Sequence, residues 1–102
     1  MGRERLFAYG TLNDAAKQTE LFGRRIQGTP DVLDAYAASE IVEDGETYRA
    51  AVPQEGASIE GFVLELGEGD LKAADAWEGD AYRRQTLQLR SGVSAWVYVK
   101  NA

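Results

Sequence analysis

The clearest hydrophobic pattern in this chain runs from Ile59 to Leu66. Phe62, Leu64 and Leu66 fall on one face and Gly61, Val63 and Glu65 on the other, which predicts a strand. Leu6 to Tyr9 predicts a short buried strand that ends at Gly10. Asn13 or Asp14 is the expected N-cap of a helix through Ala15, Ala16 and Leu21, closed by Gly23. Val32 to Ile41 is mixed in pattern and predicted extended, with Val32-Leu33 and Tyr36-Ala37-Ala38 as its apolar positions. Asp44-Gly45 signals a hairpin turn, and Thr47 to Val52 follows as a strand that Pro53 stops. Gln54 to Ser58 predicts a polar, glycine-containing loop.

Beyond Leu66, Gly67-Glu68-Gly69 breaks the pattern. Asp70 is the expected cap of a short helix from Leu71 to about Glu78, with Gly79 as its stop. Arg84 to Arg90 alternates as a strand, and Ser91-Gly92 forms a second hairpin turn. Val93 to Val99 is apolar on both faces: Val93, Ala95, Val97 and Val99 on one, Trp96 and Tyr98 on the other. A strand apolar on both faces belongs in the middle of a sheet. Five or six strands, mostly hairpin-connected, with two short α-helices predict an α+β fold: a small, mostly antiparallel β-barrel, closed or half-closed, in one domain spanning residues 1–102. Tyr36, Tyr48, Phe62, Trp77 and Trp96 are expected in its core, and Asp14, Asp31, Asp34 and Asp44 in caps or turns.

Composition narrows the chemistry. The chain has no cysteine and no histidine, which removes disulfides, thiolate nucleophiles, Ser-His-Asp hydrolysis and most zinc sites. A reducing cytoplasm fits this usage. Acid–base work near neutral pH then falls to Glu, Asp, Tyr, Lys or a terminal amine. The net charge of -6, from 17 acidic and 11 basic residues, argues against nucleic acid as a partner. Lysine occurs only as Lys17, Lys72 and Lys100, and the pairs Arg24-Arg25 and Arg83-Arg84 are too small to make a basic surface. No apolar run approaches the roughly 20 residues that span a bilayer, so no membrane partner is expected. Arg3, Glu4 and Arg5 with no apolar run behind them argue against a secretory signal. No Asp/Glu cluster has the alternating spacing of a calcium loop.

Two segments are candidates for chemistry. Leu71, Ala74 and Glu78 share one helical face, so the core-facing arc of the second helix ends in a carboxylate. A partly desolvated glutamate has a raised pKa and exchanges protons near neutral pH. The plainer alternative is a helix-end glutamate in solvent, or one paired with Arg83 or Arg84. Tyr9-Gly10-Thr11-Leu12 is a strand end that leads through glycine toward a helix, which can aim several backbone N–H groups at one anion, with the Thr11 hydroxyl as a further donor. Its plainer alternative is an ordinary turn in which glycine supplies an unusual φ. Tyr82 lies close behind Glu78 and could line a pocket and donate a hydrogen bond.

Taken together, these segments resemble the γ-glutamylcyclotransferase-like (AIG2-like) family. Its members open with a strand ending Tyr-Gly-Ser/Thr-Leu, here Tyr9-Gly10-Thr11-Leu12. They carry Leu-Asp-x-x-Glu-Gly and then Tyr-x-Arg, here Ala74-Asp75-Ala76-Trp77-Glu78-Gly79 and Tyr82-Arg83-Arg84. They close with a strand of the Ala-Trp-Val-Tyr type, here Ala95-Trp96-Val97-Tyr98. The chain departs in having Tyr48-Arg49 where Tyr-Pro is common and Ala74 where leucine is common, and it is short for the family.

The resemblance implies a small barrel with a pocket between the Tyr9–Leu12 loop and Glu78, and a small-molecule γ-glutamyl substrate cyclised to 5-oxoproline with release of the amine. Glu78 is implied as the general base and acid. Tyr9, Gly10, Thr11, Leu12 and Tyr82 are implied as substrate-binding residues. No metal or organic cofactor is implied. Two other readings stand beside this one: a non-catalytic module that binds a small ligand in the same pocket, and an interaction domain that uses the barrel exterior, whose sign would be a large exposed apolar patch.

Overall fold

A computed structural model describes residues 3–43 and 45–100 of the chain. Among these residues, five strands and two α-helices follow one another: β1 (Glu4–Ala8), α1 (Ala15–Phe22), β2 (Thr29–Glu43), β3 (Glu46–Leu66), α2 (Glu68–Glu78), β4 (Tyr82–Gln88) and β5 (Ser94–Lys100). The sheet order is β2-β3-β1-β5-β4, with antiparallel pairs except where β5 runs parallel to β1 and to β3. β3 makes this curl possible. Its C-terminal half pairs with β1, from Glu4 opposite Leu66 to Ala8 opposite Phe62, while Ala51 in its N-terminal half meets Val99 of β5. At the other side Arg90 N donates to Val32 O at 2.8 Å, tying the β4–β5 turn to β2. The result is the expected α+β half-barrel.

The curl separates two apolar layers. Leu6, Ala8, Leu64, Leu66 and Tyr98 face the helices and pack on Leu12, Phe22, Leu71 and Ala74. Phe7, Leu33, Ile59, Val63, Val97 and Val99 fill the interior of the curl. The two-sided reading of the last strand therefore holds, with Trp96 and Tyr98 toward the helices and Ala95, Val97 and Val99 inside. Each fully buried leucine such as Leu6 or Leu64 stabilises the fold by about 1.5–3 kcal/mol.

Local signals explain the helices. The Asp14 side chain accepts from Lys17 N at the start of α1, and Gly23 closes the helix in the left-handed conformation at φ 74°. α2 begins at Glu68, two residues before the expected cap. Gly67 precedes it, and Asp70 sits inside the first turn, where its Oδ2 accepts from Gly67 N at 2.9 Å and pairs with Arg24 at 2.7 Å. No helix among the described residues is long and apolar enough to cross a membrane.

Four expectations are corrected. Pro53 does not stop a strand, and Gln54 to Ser58 is not a loop between two strands, because β3 is continuous. The β2–β3 register instead passes from Asp34 opposite Ser58 to Tyr36 opposite Pro53, so Ala35 alone faces residues 54–57. Ala35 is left-handed at φ 67°, as is Gly56 at φ 84°. A bulge tolerates proline because ladder bonds are already missing there. Asp31 and Asp34 lie within β2 and not in turns. They anchor the β4–β5 turn through Ser91 Oγ at 2.5 Å and Arg90 at 2.7 Å respectively. Phe62 and Trp77 are not core residues, at 41% and 38% exposure. Asp44 and the side chain of Tyr48 lie outside the described residues.

Candidate active site

A cavity of about 670 Å³ opens between the end of β1, the end of α2 and the β2–β3 arm. This is within the range of small-molecule sites, about 300–1,000 Å³. Tyr9, Gly10, Thr11, Leu12, Glu78 and Tyr82 all line it, so the structure brings together every residue singled out for the site. Trp77, Ala81 and Tyr98 complete the near wall, and Glu40, Thr47 and Arg49 form the far one.

The loop between β1 and α1 is shaped by its carbonyls. Residues 11–13 form one 3₁₀ turn, in which Asn13 N donates to Gly10 O at 3.0 Å and Asp14 N to Thr11 O at 2.9 Å. The Asn13 side chain donates to Ala8 O at 2.7 Å. The buried Gln18 amide donates to Leu12 O and accepts from Ile26 N, both at 2.8 Å. A turn of this kind leaves its first N–H groups, those of Gly10, Thr11 and Leu12, without acceptors inside it. Gly10 has an extended φ of -150°, so the turn does not rest on a left-handed glycine, and a Cβ there would meet nothing within 4 Å.

Tyr9 differs from its neighbours. Its hydroxyl donates to Tyr98 O at 2.5 Å and accepts from Ala51 N at 2.8 Å, bridging β5 and β3 where the barrel closes. Burial pushes this phenol up to about 12. The Ala51 N–H opposes that rise, while the charge of Glu78 adds to it and that of Arg49 subtracts. Only the ring of Tyr9 is left for a ligand. Tyr9→Phe is therefore expected to lower stability by about 2 kcal/mol, because two buried backbone groups lose their partner. Urea unfolding measures this, and an unchanged midpoint would show that water replaces the hydroxyl without loss.

Glu78 ends α2, one turn beyond the buried Ala74 and two beyond the buried Leu71. Gly79, at φ 71°, then turns the chain into a short 3₁₀ segment that leads to β4. Neither Arg83 nor Arg84 pairs with Glu78. Arg84 instead grips Asp75 with two bonds, Nε–Oδ1 at 2.6 Å and Nη2–Oδ2 at 2.9 Å, and lies over the Trp96 ring at 4.4 Å. Tyr98 donates its hydroxyl to the same Asp75 Oδ1 at 2.7 Å. Burial acts to raise the Asp75 pKa, but these bonds outweigh it and hold the carboxyl below its usual range. The last turn of α2 is thus fastened to β4 and β5 through Asp75. Glu78, one turn on, is half-buried with no ion pair among the described residues. Burial alone pushes its pKa from 4.5 up to about 7.

Tyr82 donates its hydroxyl to Arg49 O at 2.6 Å, which joins the two walls. Lys17 sits 5.0 Å from the Trp77 ring centroid and links α1 to α2 above the cavity. Sequence reasoning missed Glu40, Thr47 and Arg49, and residues 54–58 contribute nothing to the cavity walls. The available signal was alternation: Thr47, Arg49 and Ala51 share one face of β3, and Ala51 belongs to the interior layer. Among the described residues no group of three or more Asp or Glu side chains could hold a metal ion.

Comparison with known proteins adds a family. The family model described as gamma-glutamyl cyclotransferase, AIG2-like matches residues 6–102. No protein of curated function matches the sequence. Among solved structures, an Arabidopsis thaliana protein superposes with a TM-score of 0.81 at 23% identity, over 98% of this chain and 63% of that one. The chain therefore spans less than two thirds of that relative. A gamma-glutamyl cyclotransferase superposes with a TM-score of 0.84 at 12% identity, over 98% of this chain and 68% of that one. Protein ytfP from Escherichia coli is 30% identical, with a TM-score of 0.68, over 96% of this chain and 83% of that one.

Proposed function

The chain belongs to the gamma-glutamyl cyclotransferase, AIG2-like family, and from that premise we propose that it cyclises a γ-glutamyl amine, dipeptide or γ-glutamylated metabolite to 5-oxoproline and releases the attached amine. The observation that carries this reading is the half-buried Glu78 carboxylate, without an ion pair among the described residues, on the wall of a cavity it shares with the Tyr9–Leu12 loop.

The chemistry follows from that placement. The Glu78 carboxylate takes one proton from the α-ammonium group of the substrate. The freed amine attacks its own γ-carbonyl carbon, a carbon–nitrogen bond forms, and a five-membered ring closes over a tetrahedral oxyanion. Collapse of that intermediate breaks the original amide bond: Glu78 gives its proton to the departing nitrogen, then takes the second proton from the ring nitrogen, which becomes the lactam N–H, and passes it to the released amine, which leaves as an ammonium ion. Attack and leaving group belong to one molecule, so the site has only to fold the substrate into a near-attack shape and move a proton. The backbone N–H groups of Gly10, Thr11 and Leu12 hold the glutamyl end, and the rings of Tyr9 and Tyr82 flank it.

A pKa of about 7 suits a group that must accept and return the same proton near neutrality. The base works deprotonated. We therefore expect kcat/KM to be low in acid, to rise as pH passes about 7, and to level off above it. A profile flat from acid to alkaline pH would count against Glu78 as the base. The direct test incubates the protein with a panel of γ-glutamyl compounds and measures 5-oxoproline. Saturable binding with no product from any of them would leave a binding module in place of an enzyme.

A further inference from the structure

Arg49 is the one cation among the described residues lining the cavity. Among those residues its guanidinium has no ion pair and no hydrogen bond, although Glu40 stands directly opposite it on β2. Arg3, Arg24, Arg84 and Arg90 pair with Glu65, Asp70, Asp75 and Asp34, while Arg5, Arg25 and Arg83, which have no ion pair among the described residues, do not line the cavity. Arg49 is also exposed, and it stands at a position where the chain departs from the pattern it resembles. Its backbone is fixed by Tyr82, whose hydroxyl donates to Arg49 O. The charges of Arg49 and Glu78 both reach the Tyr9 hydroxyl, with opposite effects, yet burial is the sole influence on Glu78. Arg49 stands on the β2–β3 wall of the cavity and Glu78 on the wall made by the end of α2, so a ligand seated against Glu78 and reaching across the cavity meets the guanidinium.

We propose that Arg49 is a specificity-determining residue that binds a carboxylate on the released half of the substrate, so that the site favours γ-glutamyl amino acids over γ-glutamyl derivatives of neutral amines. This rests on the cyclotransferase reading above. A guanidinium fork matches a carboxylate with two parallel hydrogen bonds. The opposing charge of Glu40 is exposed and screened, so it weakens this contact without cancelling it.

The test compares γ-glutamyl-alanine with γ-glutamyl-alaninamide, which differ only in the distal carboxylate. The unaltered protein is expected to favour the acid by about tenfold in kcat/KM. Arg49→Gln should bring the ratio near one, with most of the loss falling on the acid, and Arg49→Lys should restore part of the preference. Turnover with a ratio of one in the unaltered protein, or a ratio that survives Arg49→Gln, overturns the assignment and leaves the cyclotransferase reading standing. An equal loss on both compounds in Arg49→Gln also overturns it, since that outcome puts Arg49 on the glutamyl carboxylate. Titration calorimetry with both compounds separates the two readings. Preferential binding of the acid that Arg49→Gln abolishes, without turnover, supports the Arg49 contact and removes the enzyme, and absence of both binding and turnover removes both.

Discussion

Glu78→Gln is expected to cut 5-oxoproline release by about a thousandfold and to leave the protein folded and slightly more stable. The first effect is the size of a lost general base and acid. The second follows from the direction of the pKa shift. Burial raises Glu78 from 4.5 to about 7, so the folded state holds a proton that the unfolded chain releases between those values. Below pH 4.5 the carboxyl is neutral in both states and costs nothing. As pH rises toward 7 the unfolded chain ionises first and stability falls, and above 7 the full penalty is present. Because Glu78 is partly open to water, that penalty is discounted to about 1–2 kcal/mol. Glutamine keeps the shape and never ionises. At pH 8 the variant should melt roughly 5 °C higher than its parent, and the gap should close below pH 4.5. Thermal melts at both pH values, beside the 5-oxoproline assay, measure the two effects. A variant that turns over normally would end the proposed role, and one that melts lower at pH 8 would show that Glu78 is not paying a burial cost.

Gly61→Ala is expected to be the most damaging single-methyl change in the barrel. A Cβ at Gly61 would stand 2.5 Å from Ala8 O and 2.8 Å from the Phe7 ring. Neither neighbour can retreat. Ala8 O belongs to the backbone, at the end of β1 where Ala8 pairs with Phe62, and Phe7 is 1% exposed in the interior layer. Strand separation would have to grow at the point where β1 releases the Tyr9–Leu12 loop. The expected cost is about 3 kcal/mol, the upper end of overpacking, or a fall in Tm of roughly 15 °C. The loop should shift with β1, so ligand affinity should fall even at temperatures where the variant is folded. Calorimetric melting and ligand titration read the two consequences. A variant that melts with its parent would mean that β1 and β3 part by that distance freely.

Much of this was legible in the sequence, and the failures have physical causes. Local signals carried the helices: Asp14 and Gly23 bound α1, and the arc of Leu71, Ala74 and Glu78 brought a carboxylate to the cavity wall. These depend on neighbours within two turns. The bulge opposite Ala35 could not be read, because whether residues 54–57 form a loop or a detour depends on the φ of a residue in another strand. The far wall was only partly legible: alternation puts Thr47, Arg49 and Ala51 on one face, but Glu40 meets Arg49 only through the β2–β3 register. Phe62 misled because its face is apolar at Leu64 and Leu66, but the helices that cover those two leave it at the margin. Asp75 and Arg84 appeared as parts of a motif, and only the fold showed that they grip each other and leave Glu78 unpaired.

The hydroxyl of Tyr9 fixes an order of assembly. One of its partners is 42 residues away along the chain and the other 89. Helix α1 and the β2–β3 hairpin close over short separations and can form as the chain is made. The pocket cannot, because its closing bond waits for Tyr98 to emerge from the ribosome. Until then β1 has β3 and the helices to lie against, but the Tyr9 hydroxyl has only its Ala51 partner. The site is therefore closed by a contact between distant parts of the chain, 89 residues apart, and it is completed only after the local elements have formed.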